Sequence, residues 1–159
     1  MPSEIERKFL LASEDWRQSI RRSNPIRQGY LAEGNASVRV RVSGDEANLN
    51  IKSMTLGVSR LEYEYTIPLD EAHEMLDRLC RRPLIEKTRH LVEFDGRTWE
   101  IDEFTGDNAG LVVAELELGS EDEAYERPDW LGVEVSDDPR YYNVRLVQHP
   151  YRDWPDRVS

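Results

Sequence analysis

One cysteine, three histidines and nine glycines in 159 residues are scarcities that each remove a class of answer. Cys80 has no partner for an intrachain disulfide, and its place on a helical stripe with Ala72, Met75, Leu76 and Leu79 reads as packing. His73, His90 and His149 lack metal-ligand spacing and are read as structural. The glycines form no GxxxxGK phosphate loop, which excludes P-loop chemistry. No apolar run is long enough for a spanning segment or a signal peptide, so a cytoplasmic protein without membrane association is expected. No repeat or low-complexity tract appears. Basic residues are in short supply too: 21 Lys and Arg face 32 Asp and Glu, giving a net charge of -11 and a pI near 4.8. That balance argues against general nucleic-acid or membrane-surface binding but not against a local basic cavity. The length fits one domain, residues 1 to 159, able to bury a core without staples. An oligomer is left open.

What is present is alternation. In Glu4-Ile5-Glu6-Arg7-Lys8-Phe9-Leu10, a strand would put Glu4, Glu6 and Lys8 on one face and Ile5, Arg7 and Phe9 on the other. Taken alone, this is a solvated row of ion pairs on a sheet with one wet face. Ser13 as N-cap opens a short helix expected to close near Arg22, with Ser23-Asn24-Pro25 as turn. Strands are expected near 26 to 33, 37 to 42, 47 to 53 and 60 to 67, with a loop at Leu56 to Val58. Asp70 caps a helix that Pro83 stops. Strands near 84 to 95 and 97 to 105 join at Asp95-Gly96, and another runs near 111 to 119. From Ser120 the chain becomes acidic and proline-punctuated, suggesting short helical turns and an irregular tail.

Repetition changes the reading of the first strand. Paired ions recur with one residue between them: Arg39 and Arg41, then Lys52, then Arg60, Glu62 and Glu64, then Lys87 and Arg89, then Glu100 and Asp102, then Glu115 and Glu117. The intervening positions, among them Val38, Val40, Leu61, Tyr63, Trp99, Ile101 and Leu116, are apolar and need cover. A solvated sheet predicts Thr, Ser, Gln and scattered charge instead. One architecture meets both demands: a mainly β (α+β) fold, an antiparallel sheet closed into a barrel with a charged lumen, its outer apolar face covered by peripheral helices and the C-terminal segment. Mixed acids and bases in a narrow lumen imply a charged occupant, and polyphosphate with a divalent metal fits.

These residues resemble the CYTH superfamily, the triphosphate tunnel metalloenzymes, whose hallmark is an N-terminal ExExK strand, here EIERK. The resemblance runs on through QGYL at 28 to 31, VRVR at 38 to 41, IKS at 51 to 53, RLEYEY at 60 to 65, LIEKTRH at 84 to 90, WEIDEF at 99 to 104 and AELEL at 114 to 118. It looks most like compact bacterial members, and so implies an eight-stranded tunnel and metal-dependent hydrolysis of inorganic triphosphate, a small-molecule substrate. By resemblance, Lys8, Arg39, Arg41, Lys52, Lys87 and Arg89 are the phosphate ligands. Glu4, Glu6, Glu62, Glu64, Asp102, Glu115 and Glu117 are the acids serving metal and water, with Lys8, Lys87, Arg89, Glu4 and Glu6 as the catalytic set. Mg²⁺ or Mn²⁺, as two ions, is the implied cofactor. Arg60 and Glu100 share the charged faces by alternation and are held as supporting residues. The C-terminal DDPRYYNVRL is similar to a family motif in which lysine often follows the asparagine; Val144 stands there, and Arg145 comes next. The alternatives are a nucleotide-directed relative (class IV adenylate cyclase, nucleoside or thiamine triphosphatase) and a noncatalytic polyphosphate-binding module.

Overall fold

The computed structural model describes residues 3–54 and 58–155. Nine strands form: β1 (Ser3–Leu11), β2 (Ile20–Ala32), β3 (Ala36–Ser43), β4 (Glu46–Ser53), β5 (Ser59–Thr66), β6 (Ile85–Phe94), β7 (Arg97–Thr105), β8 (Val112–Glu117) and β9 (Leu131–Glu134). Their order is β5-β4-β3-β2-β6-β7-β8-β1-β9, and a further β1–β5 pairing closes the first eight into an antiparallel barrel. β1 makes the closure because its first half pairs with β5 at Glu4↔Arg60 while Glu6 to Phe9 pair with β8. β9 joins β1 farther along, at Phe9↔Glu134 and Leu11↔Leu131. Closure leaves β1 to β8 without the open edge that a flat sheet would present.

Cross-strand partners share a face, so the register assigns the inside. Arg39 lies opposite Asn50, Lys52 opposite Glu62, Arg89 opposite Asp102, Glu100 opposite Glu115, and Lys8 opposite Glu115. The outward positions form two cores. Phe9, Trp16, Val92, Trp99, Ile101, Leu116, Trp130 and Leu131 pack on one side of the barrel. Val40, Val42, Ala47, Ala72, Leu76 and Cys80 pack on the other, beneath α1 (Leu69–Arg78). Gly29 permits that contact, since a Cβ there would stand 2.7 Å from both Cys80 Cβ and Leu84 Cδ2. The β6–β7 turn has Asp95 at φ 52° and Gly96 at φ 73°, the doubly left-handed pair that a two-residue hairpin requires.

Three expectations are corrected. The helix opened by Ser13 is a 3-10 turn, Asp15–Ser19, and from Ile20 the chain is already β2. Pro25 misleads as a breaker: it pairs with Thr88 of β6, while pairing to β3 begins only at Ile26↔Ser43. Proline therefore sits where one edge of the strand is unladdered, a place that accepts a residue without an N–H. Asp70 lies in the first turn of α1, whose N-cap is Pro68. The C-terminal segment does not cover the outside. Its turn Pro139–Tyr141, helix α2 (Asn143–Gln148) and turn Tyr151–Asp153 pack Tyr141, Tyr142, Val144, Leu146, Val147 and Trp154 against the inward-facing Tyr30, Ile85, Phe104 and Val113. It is a plug in one end of the barrel. The loop expected at Leu56 to Val58 lies, but for Val58, outside the described residues. Among those described, no helix is long and apolar enough to cross a membrane.

Candidate active site

The unplugged part of the interior is a cavity of about 200 Å³. Of the thirteen site residues expected from sequence, twelve line it: Glu4, Glu6, Lys8, Arg39, Arg41, Lys52, Glu62, Glu64, Lys87, Arg89, Glu115 and Glu117. The thirteenth, Asp102, is fully buried behind the lining. It is gripped by Lys87 Nζ at 2.7 Å and by Arg89 in a two-point fork at 2.8 and 2.9 Å. Burial opposes ionisation of this carboxyl, but Arg89 and Lys87 outweigh it and hold the group well below the usual carboxylate range. Its geometry is that of an internal counter-ion.

Around Asp102 the β6–β7–β8–β1 wall is ion-paired. Arg89 also reaches Glu115 at 3.2 Å and Glu100 at 3.4 Å, and Lys8 Nζ reaches Glu115 at 3.4 Å. Lys8 donates further to the Tyr141 carbonyl at 3.1 Å. Burial works against the Glu115 carboxylate, yet Lys8 and Arg89 keep it well below its ordinary value. For Arg89, burial is overridden by Asp102, with Glu100 and Glu115 behind it, so its pKa rises. Lys87 differs: burial, reinforced by Arg89 and Arg41 and opposed by Asp102, lowers it to about 7.

The β3 wall, across the barrel from β8, is not neutralised. Among the described residues no carboxylate stands within ion-pair distance of Arg39 or Arg41. Arg39 is 7% exposed, and its buried Nε has no hydrogen-bond partner; the facing Asn50 Oδ1 is also unpartnered. Arg41 Nε donates to Gln28 Oε1 at 2.8 Å. Burial, then the charges of Arg39 and Arg89, lower Arg41 to about 9. Lys52 is intermediate, paired with Glu4 at 3.0 Å and Glu62 at 3.7 Å. Glu64 and Glu117 are more exposed.

One oxygen cluster can take a cation. Ligand oxygens of Glu6, Glu100 and Glu115 lie within 4.8 Å of one another. Burial and the Glu115 charge push the Glu6 carboxyl well above its ordinary value, as expected for acids crowded together without a cation between them. Burial likewise raises Glu100. Three hard oxygen donors with no sulfur or imidazole fit a divalent ion of the Mg²⁺ or Mn²⁺ type.

Sequence reasoning kept Glu100 only in support, yet the β7–β8 register sets it beside Glu115. It passed over the uncharged lining residues Gln28, Asn50, Tyr142 and Asn143. Gln28 and Asn50 sit on the inward alternation of β2 and β4, a signal that was available; Asn143 arrives with the plug, which carries no strand pattern. Arg60 stacks on the Tyr142 ring at 4.4 Å. Arg145 is exposed beside Gln148, on the outer side of the plug.

A barrel closed around facing rows of Arg, Lys and Glu, blind at one end, defines a polyanion-binding chamber. Residues 2–142 match the CYTH domain, and the chain belongs to that family. It is 47% identical over 157 residues to an inorganic triphosphatase of Acetivibrio thermocellus, covering 98% of this chain and all of that protein. An inorganic triphosphatase of Nitrosomonas europaea is 39% identical over 150 residues, 91% of this chain and 97% of that one. The crystal structure of an inorganic triphosphatase superposes with a TM-score of 0.67 at 36% identity, covering 92% of this chain and 95% of the other. A Pyrococcus horikoshii protein, 18% identical with a TM-score of 0.59 over 75% of this chain and 80% of its own, shares the fold.

Proposed function

We propose that this chain is a metal-dependent phosphoanhydride hydrolase that cleaves inorganic triphosphate to pyrophosphate and phosphate. The observation that carries the reading is one chamber holding two buried, carboxylate-free guanidiniums, Arg39 and Arg41, across from a three-carboxylate cluster. Buried cations without counter-ions are costly unless a ligand supplies the anion, and acids facing phosphate are useful only through a cation. The full-length relatives named inorganic triphosphatase point the same way.

In this reading Arg39 and Arg41 offer their guanidinium forks to phosphoryl oxygens, while Lys8, Lys52, Lys87 and Arg89 add positive charge along the bound chain. Glu6, Glu100 and Glu115 would hold a divalent cation, with Glu4, Glu62, Glu64 and Glu117 as the acids available to a second. Such an ion, Mg²⁺ or Mn²⁺, supplies charge neutralisation and a bound water of lowered pKa. Asp102 keeps Lys87 and Arg89 fixed rather than meeting a metal. The basic residues then stabilise charge developing on the terminal phosphoryl group. The reading takes residues 1 to 159 as one domain in the cytoplasm, with triphosphate as its small-molecule partner and neither nucleic acid nor membrane. The test is a substrate panel. Phosphate release from triphosphate with Mg²⁺ or Mn²⁺ should exceed that from ATP or thiamine triphosphate by at least about tenfold, roughly 1.4 kcal/mol. Efficient cyclic AMP formation with little triphosphate hydrolysis would overturn it.

A further inference from the structure

The barrel and its plug meet at two neutral amides. Gln28, on β2 and fully buried, accepts from Arg41 Nε at 2.8 Å and donates from Nε2 to Asn143 Oδ1 at 3.0 Å. The same Asn143 oxygen accepts from Lys87 Nζ at 2.9 Å. Asn143 opens α2 and so belongs to the plug, whereas Gln28, Arg41 and Lys87 come from β2, β3 and β6.

We infer that Gln28 and Asn143 are positioning residues that fix Arg41 and Lys87 toward the anion, so that seating the plug and assembling the anion site are one event. This rests on the phosphate roles proposed for Arg41 and Lys87. The donor count supports it. Asn143 Oδ1 has two lone pairs and both are used. Of the three Lys87 N–H groups, Asp102 takes one at 2.7 Å and Asn143 one at 2.9 Å, which leaves one for a ligand. Arg41 commits Nε to Gln28 and keeps its terminal nitrogens for a planar, two-point contact. The choice of acceptor matters as much as its position. A carboxylate would fix these cations and also cancel their charge, as Asp102 does for Arg89; an amide oxygen fixes them and leaves the charge for the substrate.

The experiment uses the full chain. It reads triphosphate affinity by calorimetry with metal chelated, kcat and KM with Mg²⁺, and melting temperature without ligand. Gln28→Met and Asn143→Ala should each weaken affinity and kcat/KM by about 10- to 100-fold, the scale of a misplaced binding group. The double variant should lose no more than about threefold beyond the worse single one, because the two act as one unit. Asn143→Asp preserves shape and both contacts, so it should melt near wild type yet bind triphosphate at least about tenfold more weakly; this variant decides the matter if Asn143→Ala fails to fold. Val147→Ala thins the plug away from the amides and should lower melting while keeping affinity within about twofold. Wild-type affinity in Gln28→Met and Asn143→Asp would sink the inference, as would an equal affinity loss in Val147→Ala, which would make plug packing alone the cause. If wild type binds triphosphate but does not hydrolyse it, the triphosphatase reading falls and the calorimetric comparison still decides the role of the amides. A wild type that does not bind triphosphate overturns both.

Discussion

The two ends of the barrel interior are built from the same strands and solve opposite problems. On four strands the inward face changes character within two residues: Lys8 gives way to Leu10, Lys87 to Ile85, Asp102 to Phe104, and Glu115 to Val113. On the apolar side the plug supplies Tyr142, Val144, Leu146 and Val147, and burial itself is the driving force, about 25 cal/mol per Å² of apolar surface. On the charged side burial opposes stability, and each ion is tolerated only by its partners. The difference teaches that the plug stabilises a chamber that would be poorly stable alone. It also teaches that the charged end is not uniform, since β6 to β8 and β1 are internally neutralised while β3 is not.

The sharpest way to break this contrast is to mutate each end. Asp102→Asn leaves Lys87 and Arg89 without their shared counter-ion and should cost about 3–5 kcal/mol in denaturant unfolding. Leu146→Ala opens a cavity in the fully buried plug and should cost about 2–5 kcal/mol. The magnitudes overlap but the cures differ. Triphosphate without metal should restore little of the Leu146→Ala loss beyond what wild type gains, whereas Asp102→Asn, with surplus positive charge, should gain more than wild type. Equal gains would erase the distinction. Next in size is Glu6→Gln, which removes one charge of the carboxylate cluster at nearly constant volume. Triphosphate turnover should fall by about 100-fold or more, roughly 2.7 kcal/mol, with melting at or above wild type because a crowded acid has been neutralised. Near-normal turnover would remove the cluster from the reaction.

The charged end was largely legible in the sequence and the apolar end was not, for physical reasons. Period-two alternation of ions against Val, Leu and Trp is a strong signal, because a sheet so patterned needs one face covered and the other occupied. The switch to Leu10, Ile85, Phe104 and Val113 was visible on the same alternation, but an apolar residue after a charged row reads as the end of a strand until something is known to fill the barrel. The filler carries its apolar residues on short turns with no period. β2 was shortened by a proline that its unladdered edge accepts, and β9 is only four residues long. Gln28 and Asn143 were passed over because charge was the criterion, and an amide that orients a cation carries none.

Within the charged end, the two walls can be told apart by ligand. Saturation at about 100 times the dissociation constant stabilises a native state by about 2.7 kcal/mol. If Arg41 is a carboxylate-free guanidinium relieved by the polyanion, Arg41→Ala should cut that gain to about 1 kcal/mol at the same triphosphate concentration with metal chelated, read as a smaller melting shift. An unchanged shift would detach Arg41 from the anion site.

The smallest effect compares inside with outside at neighbouring positions of β7. Asp102 points in and Glu103 points out, where hydrogen bonding from Arg17, at 2.8 and 3.2 Å, and then from His90 lowers the Glu103 carboxyl despite partial burial. A carboxyl whose folded pKa lies below its unfolded value, near 4.3, adds stability that is present above that value and lost as pH falls through the folded one. Glu103 is 36% exposed and its pairs are reached by solvent, so the contribution at pH 7 is held to about 0.5 kcal/mol and shrinks with salt. Glu103→Gln should therefore melt slightly below wild type at pH 7 in low salt, and the gap should close near pH 3 or in 1 M salt. The Asp102→Asn loss at pH 7 should survive the same salt, because its partners are out of reach of the ionic atmosphere. A Glu103 gap that persists at pH 3, or an Asp102 loss that salt removes, would mean that the barrel wall does not divide the two environments as the register implies.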